Sequence, residues 1–442
     1  MPIIESVTPS PDFPTNATAV IIGAGIIGIS TAIELQARGL DVVVIEKGEV
    51  AAEQSSRNWG WCRKMGRDPR EIPLIKISLD LWRNMNQKIG AETGYRTCGI
   101  VYLNDDEQQQ AQREKWVKDN VSANDLSTRI LKSTELASIV PGAARPWAGG
   151  MYTVDDGRAE PFVAVPAMAR HFQSKGGKIF TQCAARGVET SAGRISHAIT
   201  ERGTIKTENV ILAGGYWSSR FLHNLDVRFP QLGVVNSVLR TKPIETGNTT
   251  TFSGRKFAVR KRMDGGFTIA HNHLSVSELT PNHFRFLTDF LPIMKLEWRG
   301  IRLRIGKRFI DEWNLPRRWT NDSKTPFEML RTLDPLPHAA IQRDSLQSLR
   351  ENFPAFQNAE IAESWGGMID ATPDAVPVID AIKKIPGLYL ASGFSGHGFG
   401  LGPGAGKLMA EIVLGEALCV DPTPFHFSRF ADGTRPAPTT GL

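Results

Sequence analysis

The sequence predicts an α/β fold in which a nucleotide-binding lobe on a parallel sheet is interleaved with an α+β lobe carrying a mixed/antiparallel sheet. Three observations predict it. A strand–glycine turn–helix–strand unit opens the chain, and apolar strands closed by glycines recur near residues 208–215 and 387–406. Between them the pattern changes to hairpins. With 442 residues, 41% of them hydrophobic, the chain is long enough for two or three lobes with real cores.

The first unit begins with the apolar strand Thr18–Ile22, which runs into Gly23-Ala24-Gly25-Ile26-Ile27-Gly28 and an amphipathic helix to about Arg38. A second strand, Asp41–Ile45, ends at Glu46. Gly23, Gly25 and Gly28 fit the dinucleotide fingerprint of a Rossmann-like lobe. One glycine permits the tight turn, one lets backbone approach a pyrophosphate, and one lets helix pack on strand. The helix N-terminus at Ile27 offers amide donors to phosphate, and Glu46 at the strand end is placed to accept ribose hydroxyls.

A polar loop, Glu53–Gly60, follows, then helical sequence to about Lys88. Thr153–Pro161 reads as a loop before a helix over Phe162–Lys175. Phe257–Arg262 and Gly266–Ala270 read as a hairpin turned by Asp264-Gly265 in type I′. Strand-like Gly387–Ala391 leads to a glycine-rich loop, Ser392–Gly406, and a helix to about Leu414. The expected cofactor lobe comprises 1–95, 150–228 and 355–430, and the substrate lobe 96–149 and 229–354, with a disordered tail over 431–442.

Lys plus Arg (52) exceed Asp plus Glu (46) by six, too little to argue for nucleic acid. Nearly all the excess lies between Arg285 and Arg318, beside Phe284, Phe290 and Trp298 in an insertion over 282–320. Such a basic, aromatic segment lies on an anionic membrane surface or packs into its lobe; Pro292 breaks the helical period and favours packing. Cys62, Cys98, Cys183 and Cys419 lack metal or disulfide spacing and read as buried free thiols, so no metal is expected. The first 17 residues have no basic stretch followed by an apolar one, and no run of about 18 apolar residues occurs. The expected location is cytoplasmic, or peripheral to the inner membrane.

Glu53–Asn58, Leu212–Trp217 and Ser392–Gly400 together resemble the D-amino acid oxidase superfamily of FAD enzymes. The resemblance implies that Lys47, Gln54, Ser55, Ser56, Asn58, Gly60, Trp61 and Ala185 serve the FAD site. It implies the same for Ala213, Gly214, Gly215, Trp217 and Gly366, with Gly396, His397, Gly398, Phe399 and Gly400 bordering the flavin. Glu53–Arg57, Thr181–Thr190, Phe327-Glu328 with Leu336-Pro337, and Asn352–Phe356 look closer still to the membrane-bound L-amino acid deaminases of Proteus-type bacteria, whose N-terminal anchor is not expected here. In the related sarcosine oxidases a cysteine ahead of a similar Thr-Pro-Asp motif bonds the flavin. Gly367 occupies that place before Thr372-Pro373-Asp374, which implies noncovalent FAD.

The implied activity is FAD-dependent oxidation of an α-amino acid to its imino acid by hydride transfer to flavin N5, followed by hydrolysis to a 2-oxo acid and ammonia. Dioxygen or a quinone is the expected acceptor. Oxidation of a secondary, N-methyl amine is the alternative, and a flavoprotein with structural FAD and a docking surface the non-enzymatic one. The family's substrate-carboxylate arginine falls near Asn272, so another cation is needed: Arg63 first, then Arg67, Arg302 or Arg304. Trp61, Trp365, His271 and His273 are the remaining candidates for the substrate pocket. His397 is the catalytic candidate.

Overall fold

The computed structural model describes residues 3–297, 300–434 and 438–439. The apolar runs flanking the fingerprint form a six-stranded sheet in the order Val378–Ala381, Leu388–Ser392, Asn209–Leu212, Ala19–Ile22, Val42–Ile45, Lys178–Phe180. All its pairings are parallel except the first. These strands are buried on both faces, which explains their continuous Val/Ile/Leu composition. One core joins the sheet to the helices Ile26–Ala37, Pro161–Ser174 and Gly398–Leu414, and another fills the opposite face around Trp217, Phe221 and Phe229.

A ten-stranded mixed sheet makes the second lobe, and its long strand Leu232–Thr241 pairs along its length with Ile361–Ala371. Gly149–Thr153 also joins this sheet. Two segments expected in the cofactor lobe thus hydrogen-bond into the other one, which binds the lobes together through backbone.

Several expectations change. The Glu53–Gly60 loop contains a helix, Gln54–Arg57, and Gly157–Arg158 is a strand joining Trp61–Cys62 to Arg96–Thr97. The hairpin turn is not type I′: Gly265 alone has positive φ (82°), and the Arg262 amide donates to the Gly266 carbonyl. That is a longer loop closed by a left-handed glycine. The helix expected after Gly406 begins at Gly398 instead. Cys98 and Cys419 are half-buried.

The insertion divides in two. Phe286, Phe290 and Ile293 pack against Leu232, Ala371 and Ala375, while Phe284, Leu291, Ile305 and Trp313 are exposed. Trp298 and Arg299 lie outside the described residues, as does much of the expected 431–442 tail; within it Thr439 donates to Asp68. Among the described residues, no helix is long and apolar enough to cross a membrane.

Candidate active site

A continuous cavity, with about 310 Å³ open to the centres of water molecules, runs from the fingerprint turn to the loop before Gly398. At its first end the glycines are needed sterically. Gly23 has φ 109°, and a Cβ there would meet the Ala213 carbonyl at 2.5 Å; one on Gly28 would meet the Gly23 carbonyl at 1.9 Å. Ser55 Oγ accepts from the Ile26 amide (2.8 Å), whereas the Gly25 and Ile27 amides find no partner among the described residues. Glu46 accepts from the amides of Ala24 (2.9 Å) and Gly48 (2.8 Å). Each carboxylate oxygen retains a second lone pair for a ribose hydroxyl. Burial raises the Glu46 pKa.

The middle of the cavity is held by a polar lattice. Gln54 donates to Asp370 (2.9 Å) and accepts from the Tyr216 amide (2.8 Å). Glu53 accepts from Lys47 (2.5 Å), from Trp217 Nε1 (2.9 Å) and from the Leu333 amide (2.9 Å). Asn58 donates to the Ser55 carbonyl (2.8 Å) and accepts from the Gly60 amide (2.8 Å), which ends the short helix. These glycine contacts, unpaired amides and placed carboxylates fit a long dinucleotide such as FAD.

At the far end the strand Trp61–Cys62 turns Trp61 to the cavity and buries Cys62 behind it. Trp59 donates to Asn236 (2.9 Å) and meets Trp61 edge to face at 5.5 Å. Arg63 and Arg67 line the same end. Arg67 Nε donates to the Arg63 carbonyl (3.1 Å), but among the described residues its buried Nη1 has no partner, and neither does Trp61 Nε1. Burial, with Arg63 beside it, pulls the Arg67 guanidinium down to about 10. His397, preceding the Gly398 helix, shares a 2.9 Å hydrogen bond between Nδ1 and Glu71 Oε2. The tautomer in which Nδ1 donates to Glu71 leaves the Nε2 lone pair free. Burial, reinforced by Arg67, lowers the His397 pKa, so the ring is neutral at pH 7.

Most residues expected at the site line this cavity: Gly23, Gly25, Ile27, Glu46, Lys47, Gln54, Ser55, Asn58, Trp61, Arg63, Ala185, Ala213, Gly214, Gly215, Trp217, Asn272, Gly396, His397, Gly398 and Phe399. Others stand behind it. Gly28, Ser56, Gly60, Gly366 and Gly400 shape close backbone contacts instead; Gly400, for example, accepts at its carbonyl from Ser78 (2.7 Å) and Trp82 (3.1 Å). Trp365 is core, donating to the Arg57 carbonyl (3.1 Å) and packing on Phe162.

His271 is also displaced from the expected pocket. The strand ends at Ala270, and His271 Nδ1 accepts from the amides of His273 (3.1 Å) and Leu274 (2.9 Å), which fastens a turn and leaves His273 on the cavity. Asn272 Nδ2 donates to the Gly254 carbonyl (3.1 Å) and is already engaged. Arg302 and Arg304 sit on an exposed strand off the cavity. Glu71, Tyr102, Asn236 and Asp370 were not anticipated, because isolated polar residues within helix- or strand-like sequence carry no motif.

The family model for FAD-dependent oxidoreductases, DAO, matches residues 18–412. The solved structure of L-amino acid deaminase from Proteus myxofaciens is similar with a TM-score of 0.92 and 34% identity, covering 97% of this chain and 96% of that one. Glycine oxidase from Pseudomonas aeruginosa is 24% identical over 417 residues, 92% of this chain and 97% of that protein. The formaldehyde-forming 4-methylaminobutanoate oxidase of Paenarthrobacter nicotinovorans is 23% identical over 434 residues, 95% of this chain and 46% of that protein. With a family match over most of its length and a cavity shaped for the cofactor, the chain belongs to the DAO family of FAD-dependent oxidoreductases.

Proposed function

We propose that this oxidoreductase takes two electrons from the Cα–N bond of an α-amino acid, giving an imino acid that water hydrolyses to a 2-oxo acid and ammonia. The observation that carries the reading is the pair Arg63 and Arg67, which line the cavity and make no ion pair among the described residues. A guanidinium fork matches a carboxylate, and two on one wall fix its orientation. FAD, when bound, supplies the acceptor for the hydride that leaves the α-carbon.

The chain does the rest. Arg63 and Arg67 hold the carboxylate, and Trp59 and Trp61 keep water from the reacting face. His397, neutral and with Nε2 free to accept, takes the proton that the substrate ammonium must lose before its lone pair can form the C=N bond. In this reading the FAD is held without a covalent bond: among the described residues no cysteine lines the cavity, and a side chain at Gly367 would come within 2.9 Å of the Arg57 carbonyl. Dioxygen or a quinone reoxidises it.

The test is anaerobic mixing of the purified, yellow holoenzyme with both enantiomers of the amino acids. The expected result is bleaching by some of them, with 2-oxo acid and ammonia formed in equal amounts and FAD released by acid precipitation. A flavin that stays oxidised throughout overturns the reading. Formaldehyde released from N-methyl substrates alone would move the activity to the secondary-amine reading that the Paenarthrobacter relative's name suggests. Peroxide formation in air separates dioxygen from a quinone as acceptor.

A further inference from the structure

The end of the cavity that holds Arg63 and Arg67 carries more positive charge than one carboxylate neutralises. A third guanidinium, Arg113, lies 4.8 Å from the centroid of the Tyr102 ring, and Arg63 lies 5.7 Å from the same ring, which itself lines the cavity. None of the three makes an ion pair among the described residues.

Two carboxyls nearby offset them in part. Glu71 lies close to Arg67 and offsets one of the three charges, its Oε2 meeting His397 and its buried Oε1 finding no partner among the described residues, so two guanidiniums remain to be matched. The Asp156 carboxylate accepts from the Lys64 (2.9 Å) and Met65 (3.2 Å) amides, and burial pushes its pKa up to about 7, so it offsets only part of a charge at neutral pH. His273 stays neutral, lowered by burial and then by Arg113. Arg67 is 3% exposed, with its Nη1 donor unused. A buried cationic donor without a partner is costly unless a ligand completes it.

We propose, resting on the amino acid reading above, that the substrate is an acidic amino acid, with a second carboxylate or equivalent acid on its side chain. Arg63 and Arg67 divide the two acidic groups between them, and Arg113 adds its field beside Tyr102. A neutral side chain would leave one guanidinium unmatched among Trp59, Trp61 and Tyr102, and a cationic one would be repelled.

The holoenzyme is titrated with acids that cannot be oxidised, malonate, succinate and glutarate against acetate, propionate and butyrate, and the flavin absorbance is followed. The expected result is dissociation constants about tenfold or more lower for the best dicarboxylate, the equivalent of ~1.4 kcal/mol. Equal constants for the two series overturn the proposal whatever the enzyme oxidises.

Turnover is the second readout. The expected kcat/KM for aspartate or glutamate exceeds that for asparagine or glutamine on the order of 100-fold, and Arg67→Gln shrinks the ratio about tenfold or more. The wild-type titration decides the question even if that variant folds poorly. Bleaching by neutral amino acids with no advantage for acidic ones removes this proposal and leaves the oxidation reading standing. Tight dicarboxylate binding with no bleaching by any amine does the reverse.

Discussion

Arg63 and Arg67 flank Lys64 and Met65, whose amides both donate to the buried Asp156 carboxyl, so the chemistry of individual side chains sets what the site can bind. Arg63→Ala should leave FAD bound, because the glycine turn and Glu46, which we assign to the cofactor, lie at the other end of the cavity. It should raise the KM for a carboxylate substrate about tenfold or more; steady-state kinetics on FAD-loaded protein measure both. Asp156 supplies a pH signature. Its pKa of about 7 in the fold lies above the ordinary value of 3.8, so the folded chain binds a proton that the unfolded chain releases. Its contribution to stability therefore declines as pH rises from about 4 through 7. Above pH 7 the ionised carboxylate holds both amides, whereas protonation turns one acceptor into a donor. We expect the KM to rise as pH falls below 7, and Asp156→Asn to show a raised KM that is flat from pH 6 to 8. That His397 borders the cavity was readable in the sequence from its place among glycines. Its partner Glu71 was not, since it lies 326 positions away in ordinary helical sequence and only folding joins them.

At the scale of elements, the helix Gly398–Leu414 explains both what the sequence disclosed and what it hid. Its run of glycines reads as a loop, because glycine disfavours helix by about 1 kcal/mol per residue relative to alanine. In the structure the glycines serve two packing faces at i, i+4 spacing. A Cβ on Gly402 would meet Ile26 at 2.4 Å and one on Gly406 would meet Ser30 at 2.5 Å, while one on Gly404 would meet the Leu74 carbonyl at 2.9 Å. Two helices can therefore lie almost backbone to backbone against this one, and that packing outweighs the propensity. The fingerprint was legible because its glycines and strand pattern are local; this helix was not, because its reason lies in two other helices. Gly406→Ala should force the fingerprint helix away, lowering stability by about 1–3 kcal/mol and weakening FAD retention. Thermal melting with and without added FAD measures both effects. Gly415→Ala, at the left-handed C-terminus where a Cβ meets nothing within 4 Å, should cost less and leave FAD binding intact.

For the whole molecule, the question is how two lobes interleaved in sequence come to share one cavity. The strand Ile361–Ala371 answers it. It pairs with Leu232–Thr241 in the large sheet, yet Gly367–Asp370 line the cavity, and beyond Ala371 the chain returns to the cofactor lobe. Asp370 is the junction. Its carboxylate accepts from Gln54 (2.9 Å), Gln231 (3.2 Å) and the Gly393 amide (2.9 Å), and its carbonyl accepts from the Ser395 amide (3.1 Å). Ser395 is held at φ 50°, a left-handed conformation unfavourable for serine, between Gly393 at 77° and Gly396 at 84°. These contacts fix the turn that delivers His397 to the cavity. Asp370→Ala removes the side-chain acceptor of the buried Gly393 amide and of Gln54, while Gln231 keeps the Gly215 carbonyl and Ser392 Oγ; the stranded Gly393 amide alone costs about 1–3 kcal/mol where water cannot enter. The strand should still pair, because its ladder is backbone. The expected variant therefore folds with near-normal circular dichroism, melts at a lower temperature, and binds FAD more weakly by about tenfold or more. Its loss of kcat should exceed that from weaker FAD binding alone when assayed with saturating cofactor, because His397 is no longer held in place. An Asp370→Ala enzyme that recovers full kcat once FAD is saturating would mean that the turn keeps its shape without this carboxylate, and that the two lobes meet through the sheet alone.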